Sequence, residues 1–160
     1  MAISTFIKEA FIEQRIGALE DEAKIQEWIG DFLASEPVLA SFIFSEDVNI
    51  LKEEEKELYT YIIAGIWATI AKEYYESANL VPDQVAEIEE QNWDKFQQQK
   101  GSFREKLDAF FSGFNQEDLL ALIEDLLEVD LIDEPLSSEG RDLIFIKSKS
   151  FLDALIAEKN

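Results

Sequence analysis

The sequence predicts an all-α protein, a compact bundle of seven to eight helices around a central apolar helix at about residues 48–77. Three observations lead there. Turn formers are sparse, with six Gly and three Pro in 160 residues, while good helix formers such as Glu, Leu and Ala are abundant. Apolar residues recur at i, i+3, i+4 and i+7 in segment after segment. The short breaks between those segments carry capping chemistry, with Ser, Asp or Asn on one side and Gly or Pro on the other.

The first helix is expected from about Ser4 to Gly17, with Ile3, Phe6, Ile7, Ala10 and Phe11 as its apolar stripe. A second runs from Asp21 to about Ala34 on Ile25, Trp28, Ile29, Phe32 and Leu33. Ser35 then reads as an N-cap, with Pro37 in the first turn of a short apolar helix over Val38–Phe44. Ser45 and Asp47 can cap the segment from Val48 to Ser77, where Tyr59, Ile62, Ile63, Ile66, Trp67, Ile70 and Tyr74 make the main stripe and Leu58, Tyr61 and Ala64 widen it. A helix that is apolar nearly all round belongs at the centre of a fold.

Pro82 opens the next helix, which continues to about Lys100 and stops at Gly101. Ser102 with Glu105 forms a capping box for a helix carrying Phe103, Leu107, Phe110 and Phe111, and Gly113 follows its end. These phenylalanines read as core. Asn115 with Asp118 resembles the same box ahead of the leucine-rich run Leu119–Leu127. Ser137 or Ser138 caps the last helix, which contains Leu143, Ile144, Phe145, Phe151, Leu152, Leu155 and Ile156. The length suits one domain, 1–160.

Composition removes several functions at once. There is no histidine and no cysteine, so His-based acid/base catalysis, Cys nucleophiles, zinc and iron–sulfur sites and the Glu-x-x-His di-iron bundles have no ligands to use. A formal charge of −21 repels nucleic-acid phosphates, so direct nucleic-acid binding is not expected. The longest apolar run, Leu58–Ala71, is shorter than the roughly 20 residues a membrane span requires, so no membrane insertion is expected. The amino-terminal residues lack the apolar core of a secretory signal, which points to the cytoplasm.

One metal-dependent reading remains open. Glu53, Glu54 and Glu57, followed by Glu73 and Glu76, approximate the carboxylate spacing of all-α nucleotide pyrophosphohydrolases, which hold Mg²⁺ between two helices. The spacing carries little information, because a chain with 23 Glu yields about three Glu-x-x-Glu pairs by composition alone, and three occur. No cofactor and no metal is therefore assigned.

The distribution of charge says more. Between Lys106 and Arg141 lie ten acids and no base. Glu117, Glu124, Asp125 and Glu128 fall opposite the leucines of their helix, next to Asp118, and the ridge continues into Asp130, Asp133 and Glu134. Such a field steers a basic partner. The Pro82–Lys100 helix adds an irregularity: Glu89 and Asn92 fall within roughly 40° of Val85, inside the apolar arc, and Trp93 lies near its edge. A Trp at the rim of a core is a common anchor in interfaces. The sequence thus predicts a non-enzymatic protein that acts through protein–protein contact with a basic partner, using Glu117, Asp118, Glu124, Asp125, Glu128, Asp130, Asp133, Glu134 and Trp93. A narrower form of the same reading is a polyanion mimic or immunity-type inhibitor.

Overall fold

A computed structural model of the protein describes residues 6–71, 80–128 and 136–156. Among them are α1 (Glu9–Gly17), α2 (Glu22–Ser35), α3 (Pro37–Ile43), a 3₁₀ turn (Glu46–Ile50), α4 (Glu53–Ile70), α5 (Pro82–Gln98), α6 (Phe103–Phe111), α7 (Glu117–Glu128) and α8 (Ser138–Ile156), with no strand. The protein is an all-helical bundle. None of these helices is long and apolar enough to cross a membrane.

Most boundaries follow the local chemistry. The Asp21 carboxylate accepts the Lys24 N–H at 2.9 Å and starts α2, and Pro82 occupies the first turn of α5. Ser102 and Glu105 close their box at 3.2 and 3.1 Å, and Gly101 reaches that turn with a φ of 102°. Ser137 caps α8 by accepting the Gly140 N–H at 3.0 Å.

Other boundaries differ from expectation. Helix α1 begins at Glu9 instead of near Ser4, because side chains of the distant α7 region take backbone N–H groups of the segment leading into it. Gln116 accepts from Ile7 at 3.1 Å and Asp118 from Glu9 at 2.9 Å. The stripe shifts accordingly: Ile7 and Ile12 are buried, whereas Phe6 and Ala10 are exposed. Ser35 ends α2, with only Glu36 left before Pro37. The segment expected as one helix from Val48 first makes the 3₁₀ turn; α4 starts at Glu53 after the Glu55 carboxylate accepts the Lys52 N–H at 2.9 Å. Residues 72–77, where the sequence extends this helix, lie outside the described residues.

The centre is shared by two helices. Helix α4 is buried without interruption from Ile62 to Ile70 and packs against α1, α2, α7 and α8. Helix α8 is buried from Leu143 to Leu152 and packs against α3, α4, α5 and α7. Between α5, α6 and α8, Phe96, Phe103, Phe110 and Phe145 meet with ring centroids as close as 5.1 Å, so Phe103 and Phe110 are core, as the sequence indicates.

Candidate interaction surface

Helix α7 lays Leu119, Leu120, Ile123 and Leu127 into the core, so the geometry of 3.6 residues per turn forces its acids outward. Glu117, Asp125 and Glu128 are exposed, and Asp118 and Glu124 are half-buried. The base-free run of sequence is not base-free in space. Arg104 of α6 reaches Glu128 at 3.0 Å, which places one cation at the far end of the ridge. Asp118 sits at the near end, where its carboxylate caps α1. Asp130, Asp133 and Glu134 lie outside the described residues.

The structure adds two acids that the linear sequence does not connect to this ridge. Glu9 and Glu13, one turn apart on α1, join Asp118 and Asp125 around a groove of about 220 Å³ between α1 and α7. Ile12, Ala121 and Leu122 supply its apolar lining, and among the described residues no basic side chain lines it. Glu13 beside it, then desolvation, then Asp118 and Asp125, raise the pKa of Glu9 from its ordinary value. Glu124 is also raised, first by burial and then by Glu128 and Asp125, against the opposing pull of Arg104. The i, i+4 spacing of Glu9 and Glu13 was legible in the sequence; its approach to α7 required the fold.

Trp93 is half-buried, packs edge-on against Phe96 at 6.2 Å, and lies on α5, whose main packing partners are α3 and α8. It stands apart from the α1–α7 face. Of the carboxylates considered for metal, Glu53 and Glu57 are exposed and Glu54 is half-buried, while Glu73 and Glu76 lie outside the described residues. Among the described residues no group of three or more carboxylates is placed to hold a metal ion.

The largest departure from the sequence reading lies inside the molecule. The four-residue stretch Lys147–Ser150, which interrupts the apolar pattern of the last helix, is buried. Lys147 has a side chain only 2% exposed, and its ammonium bonds Glu89 at 2.6 Å, Asp47 at 2.9 Å, the Phe42 carbonyl at 3.0 Å and the Ser45 hydroxyl at 3.2 Å. Asn92 donates to Ser150 at 3.0 Å and Asp153 at 2.9 Å, and Asp153 also holds Lys149 at 2.6 Å. Burial lowers the pKa of Lys149, while Asp153 opposes the shift. Glu89 and Asn92 thus break the apolar arc of α5 because α8 presents polar groups to it.

The directions of the pKa shifts predict an unusual acid limb. The Glu55 carboxylate tends upward through burial, but hydrogen bonds from Lys52 and Ser137 outweigh that and hold it below its ordinary value. Asp47 behaves likewise, burial being outweighed by Ser45 and Lys147. Carboxylates lowered on folding stabilise above their unfolded pKa and lose that contribution as pH falls through the folded value. Glu9 and Glu124 have the opposite sign: they penalise the fold at neutral pH, and protonation through their raised values removes the penalty. Urea midpoints measured down the pH scale should therefore rise on approaching the ordinary carboxylate range and fall below it. A monotonic fall from neutral pH would contradict the assignment. Compared with protein-family models, characterised proteins and solved structures, the chain shows no significant match to any.

Proposed function

We propose that the protein is a non-enzymatic binding module that receives a basic segment of another protein on its α1–α7 face. The observation that supports this most directly is the groove itself, where two helices present carboxylates to each other across an apolar floor of Ile12, Ala121 and Leu122. Lys and Arg side chains combine an aliphatic stem with a terminal cation, so they complement an apolar floor between acidic rims. Binding one would also relieve the repulsion that raises Glu9. The exposed acids Glu117 and Asp125, with Glu124 beside them, extend the same field along α7 and would speed encounter with a cationic partner.

Capture of a fluorescent oligolysine tests the assignment. Glu9→Gln, Glu13→Gln, Glu124→Gln and Asp125→Asn together should weaken capture about tenfold at low salt, since an exposed ion pair contributes about 0.2–1 kcal/mol. Asp118 and Glu128 are left intact because they cap α1 and pair with Arg104. The same variant should unfold at higher urea than the parent, which separates lost binding from lost structure. A control neutralising Glu22, Glu27, Glu53 and Glu57 of the α2–α4 side changes net charge equally. Equal losses in the two variants would make binding a matter of net charge alone and sink the surface assignment.

A further inference from the structure

We propose that the protein associates head to tail with a second copy of itself, the cation-covered aromatic cluster between α5, α6 and α8 of one copy docking on the acidic α1–α7 face of the next. This rests on the reading that the α1–α7 face receives a basic segment, and it names where such a segment is found.

In a chain of charge −21 the bases are unevenly spread. Residues 95–106 hold four of the fourteen, Lys95, Lys100, Arg104 and Lys106, against one acid, Glu105, whose carboxylate turns back to accept the Ser102 N–H at 3.1 Å. The fold brings Arg141 of α8 to the same place and seats three of these cations on the rings of one cluster. Lys95 lies over Phe110 at 5.0 Å, Lys106 over Phe96 at 4.9 Å and Arg141 over Phe103 at 4.2 Å. The Phe96 ring is itself 6.3 Å from that of Phe103 and 6.5 Å from that of Phe110. These rings are buried, whereas Lys95 is exposed and Lys106 and Arg141 are half-buried, so the cations form the outer surface. Among the described residues neither Lys95 nor Lys106 is in an ion pair. A cation laid on a ring is already held in place, so it loses little freedom on meeting a carboxylate.

The two faces have the same make-up with opposite sign: carboxylates around an apolar floor on one, cations on aromatic surface on the other. One molecule does not join them, because α1 packs against α4 and α7 while α5 packs against α3 and α8. At their border, where α6 meets α7, Arg104 and Glu128 already pair at 3.0 Å. A contact between unlike faces leaves one of each free at the ends, so the association can extend. Two copies also repel through their net charge. The screening length falls from about 30 Å at 0.01 M salt to about 10 Å at 0.1 M and about 3 Å at 1 M. Added salt therefore first removes repulsion between whole molecules and only later weakens the closer ion pairs, so association peaks at intermediate salt. Capture of oligolysine, which is attractive throughout, falls steadily instead.

Sedimentation velocity of the full chain should show an average mass that rises with protein concentration at about 0.1 M salt, and rises less at about 0.01 M and 1 M. Lys95→Gln with Lys106→Gln should weaken association about fivefold, since each exposed ion pair carries a factor of about 1.5–5. Lys24→Gln with Lys56→Gln, an equal change of net charge on α2 and α4, should leave it unchanged. Mixing the Lys95 and Lys106 variant with the one neutralised at Glu9, Glu13, Glu124 and Asp125 pairs one intact acidic face with one intact basic face. The mixture should associate more strongly than either variant alone and stop at a dimer, which also shows both variants to be folded. Association that neither variant weakens would overturn the proposal. So would a chain that stays monomeric at every salt concentration yet captures oligolysine, which leaves the acidic surface standing. If that monomer captures oligoglutamate and loses it with Lys95→Gln and Lys106→Gln, the basic face belongs to a separate acidic partner and self-association is overturned. Failure to capture oligolysine as well would overturn the surface reading too.

Discussion

Replacing Glu89 by Ala should destabilise the protein by about 3 kcal/mol, because it strips a counterion from a cation that cannot reach water. The Lys147 side chain is 2% exposed, whereas Glu89 and Asp47 are 21% and 49% exposed. The asymmetry makes the cost depend on which partner is removed. After Glu89→Ala the ammonium keeps only Asp47, the Phe42 carbonyl and the Ser45 hydroxyl among the partners described. After Lys147→Met the two carboxylates can turn toward solvent, and the Met fills most of the volume, so the expected cost is smaller, about 1–2 kcal/mol. Combining Lys147→Met with Glu89→Leu removes the buried charges together and should recover most of the loss. Urea midpoints at constant slope measure all three. A cost below about 1 kcal/mol for Glu89→Ala would show that water reaches the ammonium in solution.

This network also marks how far the sequence could be read. The helical content, the caps at Asp21, Ser102 and Ser137 and the core roles of Phe103 and Phe110 follow from rules operating within one turn or one apolar face. The ridge on α7 followed from the same periodicity. What stayed hidden depends on pairs far apart in the chain. Lys147 reads as a break in the apolar pattern of α8, and Glu89 and Asn92 as breaks in that of α5. Each irregularity is the complement of the other, yet pattern alone does not assign partners 58 residues apart, as Asn92 and Ser150 are. The start of α1 failed for the same reason: Gln116 and Asp118, each 109 residues downstream of its bonded N–H, decide where that helix begins. Glu9 and Glu13 acquire their place beside Asp118 and Asp125 through that docking.

Gly140→Ala should cost about 2–3 kcal/mol, although a glycine inside a helix is normally improved by alanine. The new Cβ would lie 2.6 Å from the Glu55 carboxylate. A carboxylate at the end of a free side chain would swing away, but this one is tied at three points. It accepts from Lys52 N–H at 2.9 Å, Ser137 N–H at 2.8 Å and the Ser137 hydroxyl at 2.9 Å, joining the start of α4 to the start of α8. Moving it leaves those donors unpaired. Glu55→Ala alone should cost a similar amount, about 2–3 kcal/mol, because the same donors lose their acceptor in a site where Glu55 is 1% exposed. The two losses should not add. Once the carboxylate is gone the Gly140 methyl has room, and its helix propensity returns up to about 1 kcal/mol, so the double variant should be no less stable than Glu55→Ala. A double-mutant cycle should therefore give a coupling of about 2–3 kcal/mol. Glu55→Ala should also flatten the acid-side loss of stability, since its lowered pKa contributes to that limb. Additive costs, or an acid limb unchanged in Glu55→Ala, would mean that α8 is capped without help from α4.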